Sequence, residues 1–366
     1  MRKVEEWNGH TIAYPDELCF AFNPCIVKIE GNEQDTFTMG VSVDWGDEQQ
    51  QLQYKAYSGA AIADISAYVQ AAFRRKGVVQ EIDYDAGEAQ KSNKGMSLTL
   101  SVSVSGVDEE FTFSTFVIWG SLQYGGKDVY NAPKTLDCFR GYPFSVGIYI
   151  AEPTEVKVMD GGQQVGFYTF SNEEIWEMPL ETKTFKSDIV VVRDNSLRTV
   201  ETTFEYLFGE TFSKRYATQA ERAILRVHDG CTDGIYLRWI DAHGFLRYYL
   251  FKKGGEAITT ASTEYLRDDL RQWDDVVGYG YEAGRNQVYN RKTSYTLCAP
   301  LVDKDTWNLL SGLVTSPRID MWMGEVDGVH RWMSVNAQAG TYNKSNDELE
   351  DFVINIDLPT QQLQGI

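Results

Sequence analysis

Residues 95–122 read GMSLTLSVSVSGVDEEFTFSTFVIWGSL, and this stretch decides the fold class. Between 95 and 106, apolar residues alternate with serine and threonine, and a period of two indicates a strand with one buried face. A short Gly-Val-Asp turn follows, and a second apolar run occupies 109–122. Two such runs joined by a short turn predict an antiparallel hairpin. The pattern therefore predicts a protein that is mainly β.

Three further strands are predicted before this hairpin, and with it they indicate a β-sandwich over residues 1–125. These strands are expected at 20–29, 36–45 and 50–58. Pro24 interrupts the first of them, and because proline has no backbone N–H it favours an edge or a bulge.

One amphipathic helix, over residues 60–76, is predicted to pack on these strands. Its apolar face is formed by residues at helical spacing, namely Ile62, Ile65, Val69 and Phe73. Ser58 is expected to cap its start, and Gly77 is expected to end it after three cationic residues.

The rest of the chain is also predicted to be β-rich. Residues 126–210 hold further alternating runs, which form either an additional region or a continuation of the first domain. Asp160-Gly161-Gly162 is predicted to form the turn between two of these strands. A polar, unpatterned stretch near 205–220 predicts a boundary. Residues 211–366 are predicted to form a β-rich C-terminal domain with a short helix at 303–313, capped by Asp303, and a hairpin around Asp327-Gly328.

The charge balance excludes several classes of partner. The formal net charge is -19, whereas binding to nucleic acid phosphates needs a cationic surface. The same negative charge disfavours adsorption to anionic membranes, and no apolar run reaches the roughly 18 residues of a membrane span. The N-terminus lacks the apolar region of a secretory signal.

The five cysteines do not form a recognisable motif. Their number is odd, their spacings are wide, and no CxxC occurs among Cys19, Cys25, Cys138, Cys231 and Cys298. A large chain with so few cysteines is not typical of a disulfide scaffold. The sequence therefore favours free, mostly buried thiols in a reducing compartment.

The densest group of polar and aromatic residues lies in 231–255, which reads CTDGIYLRWIDAHGFLRYYLFKKGG. Its crowding suggests an active site, but a period of two predicts a hairpin whose turn is 241–244. His243 is then expected in the turn and exposed. Arg238 and Arg247 are expected on outward faces. These three residues are candidates for contact with a partner.

The sequence contains none of the common catalytic or metal-binding motifs. The four histidines form no HxH or HxxxH pair, and no GxSxG nucleophile elbow is present. Two glycine-rich stretches, GYGYEAG (278–284) and GSLQYGGKD (120–128), depart from the phosphate-loop patterns by one residue. The sequence therefore predicts no catalytic residue, no cofactor and no metal, and it favours a protein that is not an enzyme.

Tryptophans near acidic residues keep two other function classes open. Exposed aromatic side chains at Trp239, Trp273, Trp322 and Trp332 are expected to suit a carbohydrate-binding β-sandwich module. Acidic pairs on both sides of Trp273 suggest a glycoside hydrolase as a third alternative, since such enzymes use paired carboxylates.

Two blocks carry a resemblance to a known class of proteins. GIYLRWIDAHGFLRYYLF (234–251) and NRKTSYTLCAPLVDKDTWNLLSGLVTSPRID (290–320), followed by the Trp332 hairpin and a closing strand ending LPTQQLQ, resemble segments of uncharacterised virion and tail proteins of Bacteroidales phages and prophages. The strands and single helix of the N-terminal part look like the β-sandwich of tail-tube and distal-tail proteins, which form rings.

The resemblance implies a structural role. It implies a distal-tail or tail-tube-like protein that forms a cyclic homo-oligomer, a hexamer in such families, and joins the tail tube to the baseplate. Its other partners would be neighbouring tail or baseplate proteins. It would act in the virion after assembly in the bacterial cytoplasm. Net negative charge suits a lumen through which DNA passes without sticking.

Overall fold

The structure is a computed structural model, and it is mostly β, with 60% of residues in strands and 9% helical. This confirms the predicted mainly-β fold class. The structure describes residues 2–46, 49–78, 81–121, 135–151, 153–171, 173–193, 222–266, 273–275, 278–279, 284–345 and 347–362.

The chain divides into two compact units. The first comprises Met1–Asp229 and Ile240–Arg247, and the second comprises Gly230–Trp239 and Tyr248–Ile366. The predicted boundary near 205–220 lies outside the described residues, so the predicted division at 125 and 210 stays a prediction.

The first unit contains seventeen described strands and one α-helix. Their bounds are β1 Arg2–Trp7, β2 His10–Pro15, β3 Leu18–Phe20, β4 Ile26–Glu30, β5 Thr38–Asp44, β6 Gln49–Lys55, β7 Ala60–Asp64, α1 Ser66–Lys76, β8 Gln90–Lys91, β9 Gly95–Val104, β10 Phe111–Ile118, β11 Thr135–Phe139, β12 Phe144–Ile150, β13 Thr154–Asp160, β14 Gln163–Phe170, β15 Glu174–Leu180, β16 Ile189–Arg193 and β17 Arg222–His228, with a 3-10 turn at Thr182–Thr184.

The N-terminal part of this unit is a sandwich of two sheets. One sheet has the order β1-β2-β4-β7 and the other has the order β3-β10-β9-β5-β6. The quoted stretch forms the predicted hairpin, in which β9 and β10 pair antiparallel with Val102 opposite Phe111. Its alternating residues Leu98, Leu100 and Val102 are fully buried in the core that the two sheets share. Burial of each such side chain stabilises the fold by about 1.5–3 kcal/mol.

The helix α1 is shorter than predicted. It begins at Ser66 rather than at residue 60, because Ala60–Asp64 form β7, which pairs with β4. Ile62 points away from the core and is exposed, as alternation along a strand requires. The predicted Ser58 cap is wrong, since the Asp64 carboxylate accepts from the Ser66 N–H (3.0 Å) instead. Gly77 follows the helix as predicted.

The single strand predicted over 20–29 is also wrong. β3 and β4 lie in different sheets, and the chain turns between them at residues 21–25. Pro24 lies in this connection, where its missing N–H leaves no ladder hydrogen bond unmade.

Two further sheets complete the first unit. Their strand orders are β11-β17-β16-β13-β14 and β12-β15-β8. β13 and β14 form the hairpin predicted around Asp160-Gly161-Gly162. A second apolar cluster, of Phe20, Phe116, Ile118, Tyr149, Ile175 and Phe245, is buried in this unit.

The second unit is built on one large sheet. Its elements are β18 Gly234–Ile240, β19 Leu246–Leu266, β20 Trp273–Asp274, β21 Gly278–Tyr279, β22 Gly284–Asp303, α2 Lys304–Val314, β23 Ile319–Val326, β24 Val329–Ala337, β25 Leu349–Asp357 and β26 Gln361–Gln362. The sheet order is β19-β18-β23-β24-β25-β22-β26, and a further pairing of β19 with β22 closes it on itself.

Two local predictions in this unit are confirmed. The Asp303 side chain caps α2 by accepting from the Thr306 N–H (2.8 Å), and the helix buries Trp307 and Leu310. β23 and β24 form the hairpin predicted around Asp327-Gly328.

Candidate functional site

The turn that joins β18 to β19 is built around Asp241. One oxygen of its carboxylate, Oδ1, accepts from the backbone N–H groups of His243 (2.9 Å) and Phe245 (3.0 Å). The Gly244 N–H donates to the Asp241 carbonyl oxygen (3.0 Å), and Gly244 has a φ of 80°, which glycine adopts without strain. Asp241, at the first position of the predicted turn, therefore fixes the turn conformation because its short side chain accepts these hydrogen bonds.

The other carboxylate oxygen of Asp241 holds a buried cation. Arg247 Nε donates to Oδ2 at 2.6 Å, and the two residues are only 3% and 8% exposed. Burial alone would raise the pKa of Asp241, but the charge of Arg247 and the hydrogen bonds from Arg247 and the Phe245 N–H together lower it. The prediction that Arg247 lies on an outward face is therefore wrong, because its charge is neutralised inside the first unit.

His243 is buried as well, and the prediction of an exposed histidine is wrong. His243 is only 1% exposed. The turn lies against the end of β10, where the Ser121 N–H donates to the Ala242 carbonyl oxygen (2.8 Å) and a Cβ on Gly244 would lie 2.6 Å from Ile118. Burial lowers the pKa of His243 to about 4, so the ring is neutral near pH 7.

A second buried carboxylate lies in the same unit. Glu177 on β15 accepts from Lys94 Nζ (2.7 Å), Ser145 Oγ (2.9 Å) and the Leu246 N–H (3.4 Å). Lys94, Ser145 and Glu177 are all less than a tenth exposed. Sequence reasoning missed this group. Its one signal is a lone glutamate in the apolar run IWEMPL, since a charge in a buried strand needs a partner.

These residues form what we call the loop cluster: Asp241, His243, Arg247, Glu177, Lys94 and Ser145. Each carboxylate accepts from three or more donors in a closed interior. Phe245 anchors the turn between them, with its ring so close to the backbone of Gly147 that a Cβ there would lie 2.5 Å from it. The cluster therefore fastens the loop Ile240–Arg247 to the first unit and presents no reactive group to solvent.

Arg238 belongs to a separate buried group in the second unit. Its Nε donates to Asp320 Oδ2 (2.9 Å) on the neighbouring strand β23, and its guanidinium lies 4.1 Å from the centre of the Trp332 ring. Arg238 is 1% exposed, so its predicted outward position is wrong. Both faces of β18 are covered near this residue, because Tyr236–Ile240 are all buried.

The tryptophans of the second unit do not form one exposed platform. Trp239 is fully buried, which contradicts its expected exposure. Trp322 and Trp332 are half-buried cross-strand partners, and Trp322 Nε1 donates to His330 Nδ1 (3.3 Å). Trp273 lies on β20 opposite Tyr279, and its side chain is outside the described residues.

The most extended feature of the second unit is the ribbon formed by β19 and β22. The two strands pair antiparallel from Lys252 opposite Cys298 to Leu266 opposite Gly284. β25 flanks β22 as far as Ser294, and beyond that point the two-residue strand β26 is the third strand among the described residues. All residues of 252–261 are exposed, including Ile258 at 54%.

The ribbon also differs in charge from the rest of the chain. Residues 252–261 and 290–296 contain four cations and one acid, a net charge of +3, whereas the whole chain carries -19. The cations are Lys252, Lys253, Arg291 and Lys292. Lys292 pairs with Asp357 (2.6 Å) and Lys253 pairs with Glu256 (3.3 Å), while Lys252 extends into solvent.

In the described part of the chain, no three His, Cys, Asp or Glu side chains are grouped to hold a metal ion. None of the described helices is both long and apolar enough to cross a membrane.

Comparisons with known proteins do not assign a family. No family model matches the sequence, and no curated protein matches it. Among solved structures, similarity extends to the Salmonella enterica SafA pilin with its SafB chaperone (9% identity, 62% of this chain and 100% of that chain, TM-score 0.19) and to a 1.5-MDa bacterial ice-binding adhesin (7%, 76% and 88%, TM-score 0.16). The Dpr2 Ig1-Ig2 complex with DIP-Theta Ig1-Ig3 is also similar (7%, 98% and 89%, TM-score 0.19). TM-scores of this size carry no argument about function.

Proposed function

We propose that this chain is a structural subunit of a phage tail, a distal-tail or tail-tube-like protein that forms a ring and joins the tail tube to the baseplate. The observation that supports it most is the exposed β19–β22 ribbon. The resemblance of residues 234–251 and 290–320 to phage virion proteins gives the proposal its biological setting.

The β19–β22 ribbon has the properties of a marginally stable hairpin. A two-stranded hairpin is marginally stable alone in water, and its outer edges carry unpaired N–H and C=O groups that pair readily with another chain. Contact with a neighbouring subunit would cover Ile258 and these edges. Such a head-to-tail contact, repeated around an axis, closes a ring.

The opposite charges of the ribbon and of the rest of the chain support a second copy of this chain as the neighbouring subunit. A ribbon of net charge +3 is attracted to a chain whose remaining residues are strongly acidic. Attraction between unlike regions of identical subunits favours the same contact at every position in a ring. Neighbouring tail and baseplate proteins are then the further partners.

The positions of the tryptophans favour a carbohydrate-binding module less than a structural tail subunit. Trp239 is buried, and the Arg238 guanidinium covers one face of Trp332. A sugar platform needs an open aromatic face, and of the four tryptophans expected to form it Trp322 is the remaining candidate whose side chain the structure describes. Binding on a glycan array that Trp322→Ala abolishes would support that alternative, and silence across a broad array would remove it. No observation favours the glycoside hydrolase.

Self-association tests the proposal directly. The molar mass of the purified chain at high micromolar concentration is measured by size-exclusion chromatography with light scattering, and its particles are imaged in negative stain. We expect a ring, and we expect Lys252→Glu with Arg291→Glu to shift the mass towards the monomer. The matched control is Lys55→Glu with Lys183→Glu, two exposed cations of the first unit, which should leave the oligomer intact.

A chain that stays strictly monomeric, and forms no ring even when mixed with neighbouring tail proteins, would overturn the proposal. Equal loss of the oligomer in the ribbon variant and in the control would show that the ribbon is not the contact.

A further inference from the structure

An exposed apolar patch lies on the outer face of the β22–β25 pair. The core-facing residues of β25, such as Phe352, are buried, whereas the alternate residues Leu349 and Val353 face outwards and are exposed. Leu301 of β22 is 67% exposed and lies where the pairing of β22 with β25 shifts register. We call Leu301, Leu349 and Val353 the acceptor patch. Large apolar side chains grouped on one sheet face are typical of a surface that contacts another molecule.

The backbone holds Leu301 beside an acidic side chain. Its φ is 50°, in the left-handed region that leucine adopts only with strain, and its N–H donates to Asp351 Oδ1 (2.9 Å). Asp351 lies between Leu349 and Val353 on the outer face of β25, about 7 Å from each along the strand. Residues 347–351 hold four acids and no cation, so the acceptor patch combines apolar area with negative charge.

The core side of the ribbon combines apolar area with positive charge. Leu297 of β22 is fully buried, and alternation along the strand places Thr293 on the same side. Ile258 is opposite Thr293 and shares this side, although it is exposed. Arg291 is also on this side, about 7 Å from Thr293 along the strand. The side of β22 that is buried at Leu297 therefore continues onto the ribbon as an apolar residue beside a cation.

Arg291 is available to an acidic partner. Its Nε is buried, yet it has no hydrogen-bond partner in the part of the chain that the structure describes. The neighbouring Lys292, on the opposite side of the strand, already pairs with Asp357 (2.6 Å). A carboxylate from another molecule would supply the missing partner of Arg291. On the ribbon and on the acceptor patch alike, the charge and the apolar residues are about 7 Å apart, so the two surfaces match in spacing.

The two surfaces are also placed to meet between copies. Thr293 and Leu301 are about 26 Å apart along β22, and the ribbon presents its core side whereas the acceptor patch is on the outer face. One copy displaced along this strand can therefore lay its ribbon on the outer face of the next copy without turning over.

We propose that the core side of the ribbon of one copy docks on the acceptor patch of a second copy. Ile258 packs on Leu301 in this contact, and Arg291 pairs with Asp351. The contact joins two different surfaces of identical chains, so it is head-to-tail and repeats from copy to copy. The inference rests on the proposed self-assembly and names the two surfaces that meet.

The first test removes the apolar side chain of Leu301 without straining the backbone. Glycine adopts a φ of 50° freely, so Leu301→Gly should leave the Tm of the monomer nearly unchanged. We expect the concentration at which half of the chain is assembled, measured by light scattering over a dilution series, to rise about tenfold. Val4→Ser, which replaces an exposed apolar residue of the first unit, is the matched control and should leave that concentration unchanged.

The second test reverses the two charges. Arg291→Glu and Asp351→Arg should each raise the concentration for half assembly about tenfold, because each brings like charges together. A chain that carries both changes should assemble nearly as well as the wild type, since every contact then joins the exchanged charges. Such recovery would not follow if either change had only damaged the fold.

The outcomes separate this contact from the proposed ring. A ring that forms equally well with Leu301→Gly would overturn the contact and leave the ring standing, and so would a doubly changed chain that fails to recover. Filaments in place of rings, with both effects observed, would support the contact and overturn the ring. A chain that stays monomeric at high micromolar concentration would overturn both.

Discussion

His243 makes the stability of the first unit dependent on pH, and His243→Gln should remove that dependence. Burial lowers the pKa of His243 from 6.5 to about 4. In that interval the unfolded chain binds a proton that the folded chain does not, so the free energy of unfolding falls as the pH decreases. The stabilisation is fully present above pH 6.5 and is lost towards pH 4.

The lowered pKa of His243 determines how much stability is lost as the pH decreases. A difference of about 2.5 units corresponds to about 3 kcal/mol in total, of which about 2 kcal/mol is lost by about pH 5. Asp241, whose pKa is lowered, loses its own contribution only below about pH 4. Glu173 acts in the opposite direction, because burial raises its pKa and favours the folded state at lower pH. Its contribution is the same in wild type and variant and cancels in their difference.

Urea unfolding measures this difference. Tryptophan fluorescence and circular dichroism are followed at about pH 7.5, 6 and 5 for the wild type, for His243→Gln and for a control with His330→Gln in the second unit. A loss of 2 kcal/mol shifts the wild-type midpoint by about 0.7 M. We expect the shift to be nearly absent in His243→Gln and retained in the control. Equal pH dependence in the wild type and His243→Gln would refute the assignment of a buried neutral histidine.

Three further substitutions test other parts of the structure by urea unfolding. Phe245→Ala should destabilise the first unit by about 3–5 kcal/mol, since it leaves a cavity in the apolar cluster, and a loss below 1 kcal/mol would contradict its burial. Asp320→Ala should cost the second unit about 3–5 kcal/mol because the Arg238 charge stays buried without its carboxylate, so a neutral result would count against that pair. Asp303→Ala should cost about 1 kcal/mol by removing the cap of α2, whereas exposed Asp305→Ala, the matched control, should cost less.

Local signals of the sequence predicted the elements well. Alternation located the β9–β10 hairpin, and turn residues located the β13–β14 and β23–β24 hairpins, because a strand's pattern and a turn's dihedral preferences are properties of neighbouring residues. The predicted start of helix α1 was wrong because it also depended on neighbouring residues alone. Ala60–Asp64 satisfy a helical spacing, but pairing with β4, which is distant in sequence, selects the strand.

The candidate site residues show where sequence reasoning ends. Alternation assigns Arg238, His243 and Arg247 to one face or a turn, but it does not say what covers that face. Asp320, which pairs with Arg238, and Glu177, which accepts from the Leu246 N–H, lie far away in the chain, and no local pattern connects them to this stretch. The sequence by itself determined a mainly-β protein, its hairpins and the capped helix α2. Only the tertiary structure decided that the polar residues of the β18–β19 stretch are buried, because a buried charge is tolerated only where folding brings its counter-charge to it.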